Sequence, residues 1–247
     1  YAPHKLATWY MEKKAAGCVF QTPDAQAFFS DTLQKKSKII FNPLSQVYYT
    51  EKEQLQSRLP VTRKKEIVNV GRITSQKNQR LLLEAFAKIA PKYPEYVLRI
   101  YGAIENQQVY RELQDYIDSK GLREKVYFMG NTDDIPGAIR QAGAFVLSSD
   151  YEGMPNALIE AMVLGLPCIS TDCPCGGSAL LIDNEVSGLL VPVGDVQAMA
   201  NAMEYILADS ARAESMGEQA RKLKDKVEPS RISEEWLAYI EEIVGEH

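Results

Sequence analysis

Histidine is nearly missing from this sequence. Its 247 residues contain two, His4 and His247, both at the ends. An imidazole acid–base pair or an imidazole-rich metal centre in the body of the chain is thereby excluded, because no other side chain has its ordinary pKa near neutral pH. Cysteine is scarce as well, at Cys18, Cys168, Cys173 and Cys175. A zinc site would need a second pair of Cys or His at suitable spacing beside the Cys173-x-Cys175 pair, and the sequence offers none. Cys18 and Cys168 fall in short apolar runs, as reduced core residues do. No metal is expected, and a reducing cytoplasmic compartment fits.

Long apolar runs are missing too; none approaches the ~18 residues of a membrane-spanning helix. An excess of positive charge is also lacking. Lys and Arg number 28 against 33 Asp and Glu, for a net charge of -5, so the basic footprint of a nucleic-acid-binding domain is absent. Short basic clusters at Lys13–Lys14, Lys35–Lys36 and Arg63–Lys65 read as solvated faces, with a lipid-facing patch as the alternative. No leader peptide is visible. The chain opens on Tyr1 rather than methionine, which fits one piece of a longer protein. What is present is the ordinary balance of a globular protein, 45% hydrophobic and 25% charged, with room for a sizeable core in one large or two small domains.

Strands and helices alternate along the chain. Residues 1–43 read as a helix over Ala2–Ala16, a strand over Gly17–Gln21, a helix from the N-cap Thr22 and Pro23 to about Gln34, and a strand over Lys36–Phe41. Two parallel strands make a poor independent fold, so this βαβ piece is expected to belong to a larger sheet. Residues 44–65 are polar and irregular, a linker with one helical turn. From Glu66 the pattern is regular. Strands are predicted at Glu66–Val70, Tyr96–Tyr101, Val126–Met129, Ala144–Ser149, Leu166–Thr171 and Gly188–Val193. Helices are predicted at Lys77–Ala90, Gln107–Ser119, Ile135–Ala142, Asn156–Leu164, Val196–Leu207, Arg212–Lys224 and Ile232–Val244. Six strands alternating with helices give an α/β fold, a doubly wound parallel sheet of Rossmann-like type. Ligands in such sheets bind beyond the carboxyl ends of the strands. That rule gathers Gly71–Arg72, Gly102–Ala103, Gly130–Asn131 and Ser149–Asn156 at one edge.

Four features at that edge could carry chemistry. Arg72 and Lys77 flank the first strand-to-helix loop. A cation at a helix start opposes the helix dipole unless an anion lies there; either the pair holds an anion or both are ordinary surface cations. Glu152-Gly153-Met154-Pro155-Asn156 leads into a helix. Its free N–H groups can receive an anion or hydroxyls, or it is a plain helix start. Glu160 is the lone charge between Asn156 and Thr171, so it either serves the helix dipole or a salt bridge near a helix end or binds vicinal hydroxyls. Thr171–Leu181, with Gly176-Gly177, is either an anion-binding turn or an ordinary loop.

Together these residues form a pattern. Glu152-x7-Glu160, then Ala161-Met162 and Gly165-Leu166-Pro167, resembles the E-x7-E signature of retaining GT-B glycosyltransferases. These are the large glycosyltransferase family 4 group (glycosyl transferases group 1). Val70-Gly71-Arg72, Lys77, Gly102, Phe128-x-Gly130, Ser148–Thr171 and Asn184-x3-Gly188-Leu189-Leu190-Val191-Pro192 follow in the same order. The resemblance covers residues 66 to about 244. It implies two Rossmann-like domains with the active site between them, and a C-terminal domain that binds a nucleotide sugar. On that basis 1–43 would be the last βαβ piece of an otherwise missing N-terminal acceptor domain. The linker would be 44–65, the nucleotide-sugar domain 66–230, and 231–247 a helix crossing back. Arg72 and Lys77 would contact the diphosphate, Glu152 would lie by the donor sugar, and these three would be the catalytic set. Glu160 would hold the ribose, Gly153, Met154, Pro155 and Asn156 would offer backbone N–H groups, and Gly130 and Asn131 would flank the base. No metal or cofactor is implied; the donor would be a nucleotide sugar, with UDP expected, and the acceptor a glycan or lipid-linked glycan. Where such enzymes often carry Gly-Pro-x-Glu, this chain has Gly176-Gly177-Ser178-Ala179. The same resemblance points to the inner face of the membrane, reached through the missing domain, and uncovered strand edges to self-association. The alternatives are a nucleotide-sugar epimerase of the same architecture and an inactive donor-binding fragment.

Overall fold

A computed structural model of the chain describes residues 2–50 and 62–245. Among them are two parallel sheets. In the smaller, β1 (Cys18–Phe20) pairs with β2 (Ser37–Ile39). The larger holds β3 (Glu66–Val70), β4 (Val97–Tyr101), β5 (Val126–Gly130), β6 (Ala144–Leu147), β7 (Cys168–Asp172) and β8 (Leu189–Pro192), in the order β5-β4-β3-β6-β7-β8. Each of its neighbouring pairs is parallel. The order runs outward from β3 in one direction and from β6 in the other, the doubly wound topology predicted from the alternation of elements.

The central strands are covered on both faces, which is why Ala144–Leu147 is uniformly apolar rather than alternating. Ile67 and Val68 are adjacent, so they point to opposite faces and belong to different clusters. On one face Ile67, Leu98 and Ile100 pack with Leu82, Phe86 and Ile89 and with Met199 and Met203. On the other, Val68, Phe145 and Leu147 pack with Leu158, Ile159 and Met162. Phe86 and Phe145 are wholly buried, each stabilising the fold by about 2 kcal/mol or more.

Several boundaries depart from the pattern reading. The helix expected from Pro23 to about Gln34 is two short ones, Pro23–Ala27 and Asp31–Lys35. Ser30 takes an extended backbone between them, and the Phe29 ring turns in to lie 5.0 Å from Phe20. The helix expected from Lys77 begins at Gln79 instead. Ser75–Lys77 is a 3-10 turn, and Asn78 caps the helix from a left-handed conformation. The helix predicted over Ile135–Ala142 stops at Ile139. The final helix starts earlier than predicted and spans Pro229–Gly245. It packs against the small sheet: Ile232 and Tyr239 bury with Ile40, and the Tyr239 hydroxyl donates to the Lys36 carbonyl at 2.7 Å. The same hydroxyl accepts from the Cys18 N–H at 3.1 Å.

Part of the stretch read as a linker is anchored. Leu44 and Tyr48 are buried in the cluster under the Asn156–Val163 helix, and Gln46–Tyr49 forms the one expected turn. Residues 51–61 of that stretch lie outside the described residues. No helix among the described residues is long and apolar enough to cross a membrane.

Candidate functional site

The direction of the sheet order reverses between β3 and β6, so the loops that leave their carboxyl ends diverge and open a crevice. One wall is Gly71–Asn78, the other Ser148–Pro155. The first wall is braced by its neighbour. The Gly71 N–H donates to the Tyr101 carbonyl at 2.9 Å, and Gly102, at φ 139°, lies so close that a Cβ there would come within 2.2 Å of the Gly71 oxygen. Only glycine fits such an approach in that conformation.

Lys77 ends the 3-10 turn and reaches across the crevice to Glu152, Nζ to Oε1, at 2.5 Å. The Ser149 hydroxyl donates to the same carboxylate oxygen at 2.6 Å. Both partners are largely out of water, at 15% and 9% side-chain exposure, where an ion pair is screened far less than on the surface. The loop after β7 grips Glu152 from behind. Its N–H donates to the Pro174 carbonyl at 2.6 Å, and its carbonyl accepts from the Cys175 N–H at 2.7 Å. Thr171 donates to the Ser149 carbonyl at 2.6 Å. Gly177 packs against the next stretch so tightly that a Cβ there would meet the Gly153 oxygen at 1.9 Å and Pro155 Cδ at 2.9 Å. Of the two readings of the Gly176-Gly177 turn, the geometry supplies a packing role that neither anticipated.

The other predicted residues fall around this pair. Pro155 is the N-cap of the Asn156–Val163 helix, one position earlier than a first-turn proline. No side chain caps that helix start, which leaves its N–H groups and its positive end directed at the crevice side. Met154 is buried beneath it. Asn156 accepts from the Asn42 amide at 3.0 Å, and Gln21 in turn donates to Asn42, so the residues before the linker reach the same loop. Arg72 does not share the partner of Lys77. It is half exposed and pairs with Glu105 at 3.0 Å, while its carbonyl accepts from the wholly buried Gln79 amide at 2.9 Å. Arg72 and Asn131 line an open cleft of about 460 Å³ with Gly71 and Gly102. Gly130 ends β5 at φ 69°, and its carbonyl accepts from the Gly102 N–H.

Glu160 is half-buried on the second turn of the Asn156–Val163 helix. Burial holds its carboxyl above the ordinary range, and a hydrogen bond from the Tyr48 hydroxyl offsets part of that. A carboxyl with a raised folded pKa binds more protons folded than unfolded, so stability falls as pH rises from the unfolded value to the folded one. Glu160→Gln keeps a partner for Tyr48 and cannot ionise. It is expected to match the parent below about pH 4 and to be the more stable protein at neutral pH, as denaturant midpoints across that range would show. Midpoints that differ equally at all pH values would contradict this.

Sequence reasoning placed Ser149 at this edge without giving it a role, and missed Tyr48. Ser149 had a signal, a hydroxyl three residues before Glu152 in a strand-end loop. Tyr48 had none, because nothing local ties it to Glu160. Taken together, the arrangement offers a largely buried lysine beside an uncapped helix start, with Arg72 on the rim of the neighbouring cleft, groups that can hold an anion.

The family model for glycosyl transferases group 1 matches residues 50–223. An uncharacterised glycosyltransferase of Methanocaldococcus jannaschii is 33% identical over 187 residues, covering 71% of this chain and 44% of that protein. A Campylobacter jejuni alpha-1,4-N-acetyl-D-galactosaminyltransferase, named for a diNAcBac-PP-undecaprenol-linked glycan, is 30% identical over 211 residues, covering 85% and 55%. The chain thus spans about half the length of these curated relatives. Among solved structures, Anabaena HepE in complex with UDP superposes with a TM-score of 0.85 at 20% identity, over 96% of this chain and 67% of that one. TarM of S. aureus gives 0.79 at 22% identity, over 97% and 46%. At such identities these two matches speak for the fold, which is that of the GT-B enzymes. The motif order, the family match and the topology agree: this chain belongs to the glycosyl transferases group 1.

Proposed function

We propose that this chain is the donor-binding portion of a retaining glycosyltransferase. It binds a nucleotide diphosphate sugar, with UDP as the nucleotide, and the complete enzyme passes the sugar to a glycan or lipid-linked acceptor. The observation that carries this reading is the Lys77–Glu152 pair at the point where the sheet order reverses, beside an uncapped helix start. Lys77 and that helix start would neutralise the diphosphate as it departs, the place where charge develops. Arg72 would leave Glu105 for the phosphates, Glu160 would take the ribose hydroxyls, Gly130 and Asn131 would flank the base, and Glu152 would face the sugar. The UDP in the HepE complex and the polyprenol-linked glycan in the Campylobacter enzyme's name support the donor and acceptor classes. The epimerase reading finds no support, since it lacks an acid–base pair outside the two glutamates.

Binding is the activity to measure in residues 1–247. Calorimetric titration should show UDP and UDP-sugars binding the folded chain, with uridine far weaker. A folded chain that binds no nucleotide at all would overturn the proposal.

A further inference from the structure

The turn that carries Lys77 is fastened to the loop that carries Glu152, and the fastening centres on one pair of side chains. Asn78 sits at φ 42°, ψ 50°, a left-handed conformation. Its Oδ1 accepts from the Leu81 N–H at 3.1 Å, capping the Gln79–Ile89 helix. That leaves its Nδ2, which donates across the crevice to Asp150 Oδ1 at 2.6 Å. Three further bonds follow the same line. The Asp150 N–H donates to the Gln76 carbonyl at 2.9 Å, the Gln76 amide donates to the Tyr151 carbonyl at 2.9 Å, and the Ser148 hydroxyl donates to the Lys77 carbonyl at 2.9 Å.

Position 78 therefore meets three demands at once. It must tolerate the left-handed region, supply an acceptor to the helix, and supply a donor to a carboxylate. Asparagine meets all three. Aspartate meets the first two but would set two carboxylates face to face. Glycine meets the first alone.

We infer that Asn78 and Asp150 are positioning residues for Lys77. Their bond fixes the backbone on which the lysine is carried, and so fixes where its ammonium meets a phosphate. The inference rests on the reading of Lys77 as a diphosphate ligand. It adds that two residues which touch no substrate set the strength of that contact.

The test uses the full chain and calorimetry with UDP and UMP at one salt concentration. Asn78→Asp should weaken UDP by about tenfold, the worth of one charge-assisted bond, and leave UMP within about twofold. Asp150→Asn keeps an acceptor for Asn78 and should stay near the parent. The exchanged pair, Asn78→Asp with Asp150→Asn, restores a donor facing an acceptor and should recover UDP binding to within about twofold of the parent. If Asn78→Asp does not fold, Asp150→Ala removes the acceptor without a like charge and should show the same UDP-selective loss. Unchanged UDP affinity in Asn78→Asp, an equal loss for UDP and UMP, or no recovery in the exchanged pair would each overturn the inference. A parent chain that binds UDP no better than UMP would instead refute the reading of Lys77 on which it rests.

Discussion

Replacing Lys77 by alanine is expected to remove measurable UDP binding and to lower the stability of the chain by about 3 kcal/mol. The second effect follows from what is left behind. Glu152 is 8% exposed, and without the ammonium its carboxylate keeps the Ser149 hydroxyl as its remaining charge-stabilising side-chain bond. Taking away one partner of a buried pair costs more than the pair contributes, because the other charge stays out of water. The two effects can be separated. Lys77→Met combined with Glu152→Leu removes both charges and fills the space, so it should bring the denaturant midpoint back towards the parent while leaving UDP unbound. Recovery of binding in the double variant would show that the lysine has no part in holding the nucleotide.

The other large effect is expected at Gly177. Alanine there needs the Gly153 carbonyl, 1.9 Å from the new Cβ, to retreat by more than an ångström. Neither side can give way easily. The short helix Gly177–Leu181 is tied to β7 by the buried Ser170–Ser178 bond at 2.8 Å, and Gly153 follows directly on the gripped Glu152. Overpacking of this kind costs roughly 1–3 kcal/mol, against a gain of up to ~1 kcal/mol from alanine's helix propensity. Gly177→Ala is therefore expected to destabilise by about 1–2 kcal/mol and to weaken UDP binding, since the displaced backbone leads into the helix start. The residue stands where enzymes of the resembling pattern often carry proline. The missing Cβ is what lets the Gly153 carbonyl lie this close to position 177. A variant with unchanged midpoint and unchanged affinity would show that the loop has room to spare.

Much of the architecture was legible because it depends on local pattern. Leu81, Leu82, Ala85, Phe86 and Ile89 fall on one helical face, and each is buried. Ala144–Leu147 is apolar throughout because both faces of β6 are covered. The general rule for parallel sheets then brought Lys77 and Glu152 to one edge. What could not be read depends on contacts that no local pattern encodes. Arg72 and Lys77 are five residues apart, but the turn at Ser75–Lys77 lies between them and their side chains go to different partners, Glu105 and Glu152. Glu160 finds Tyr48, from a stretch with no periodicity at all. The short helices at Pro23–Ala27 and Asp31–Lys35 were read as one because composition alone does not show an extended serine breaking the run.

On the proposed function, a nucleotide diphosphate sits where the sheet order reverses, over Lys77 and the start of the Asn156–Val163 helix. The most direct measurement is a crystal structure of the chain grown with UDP. The diphosphate is expected against the Lys77 ammonium and the Asn156–Val163 N-terminus, the ribose hydroxyls at Glu160 and the base beside Gly130 and Asn131. UDP bound elsewhere on the surface, with the Lys77–Glu152 crevice empty, would contradict it.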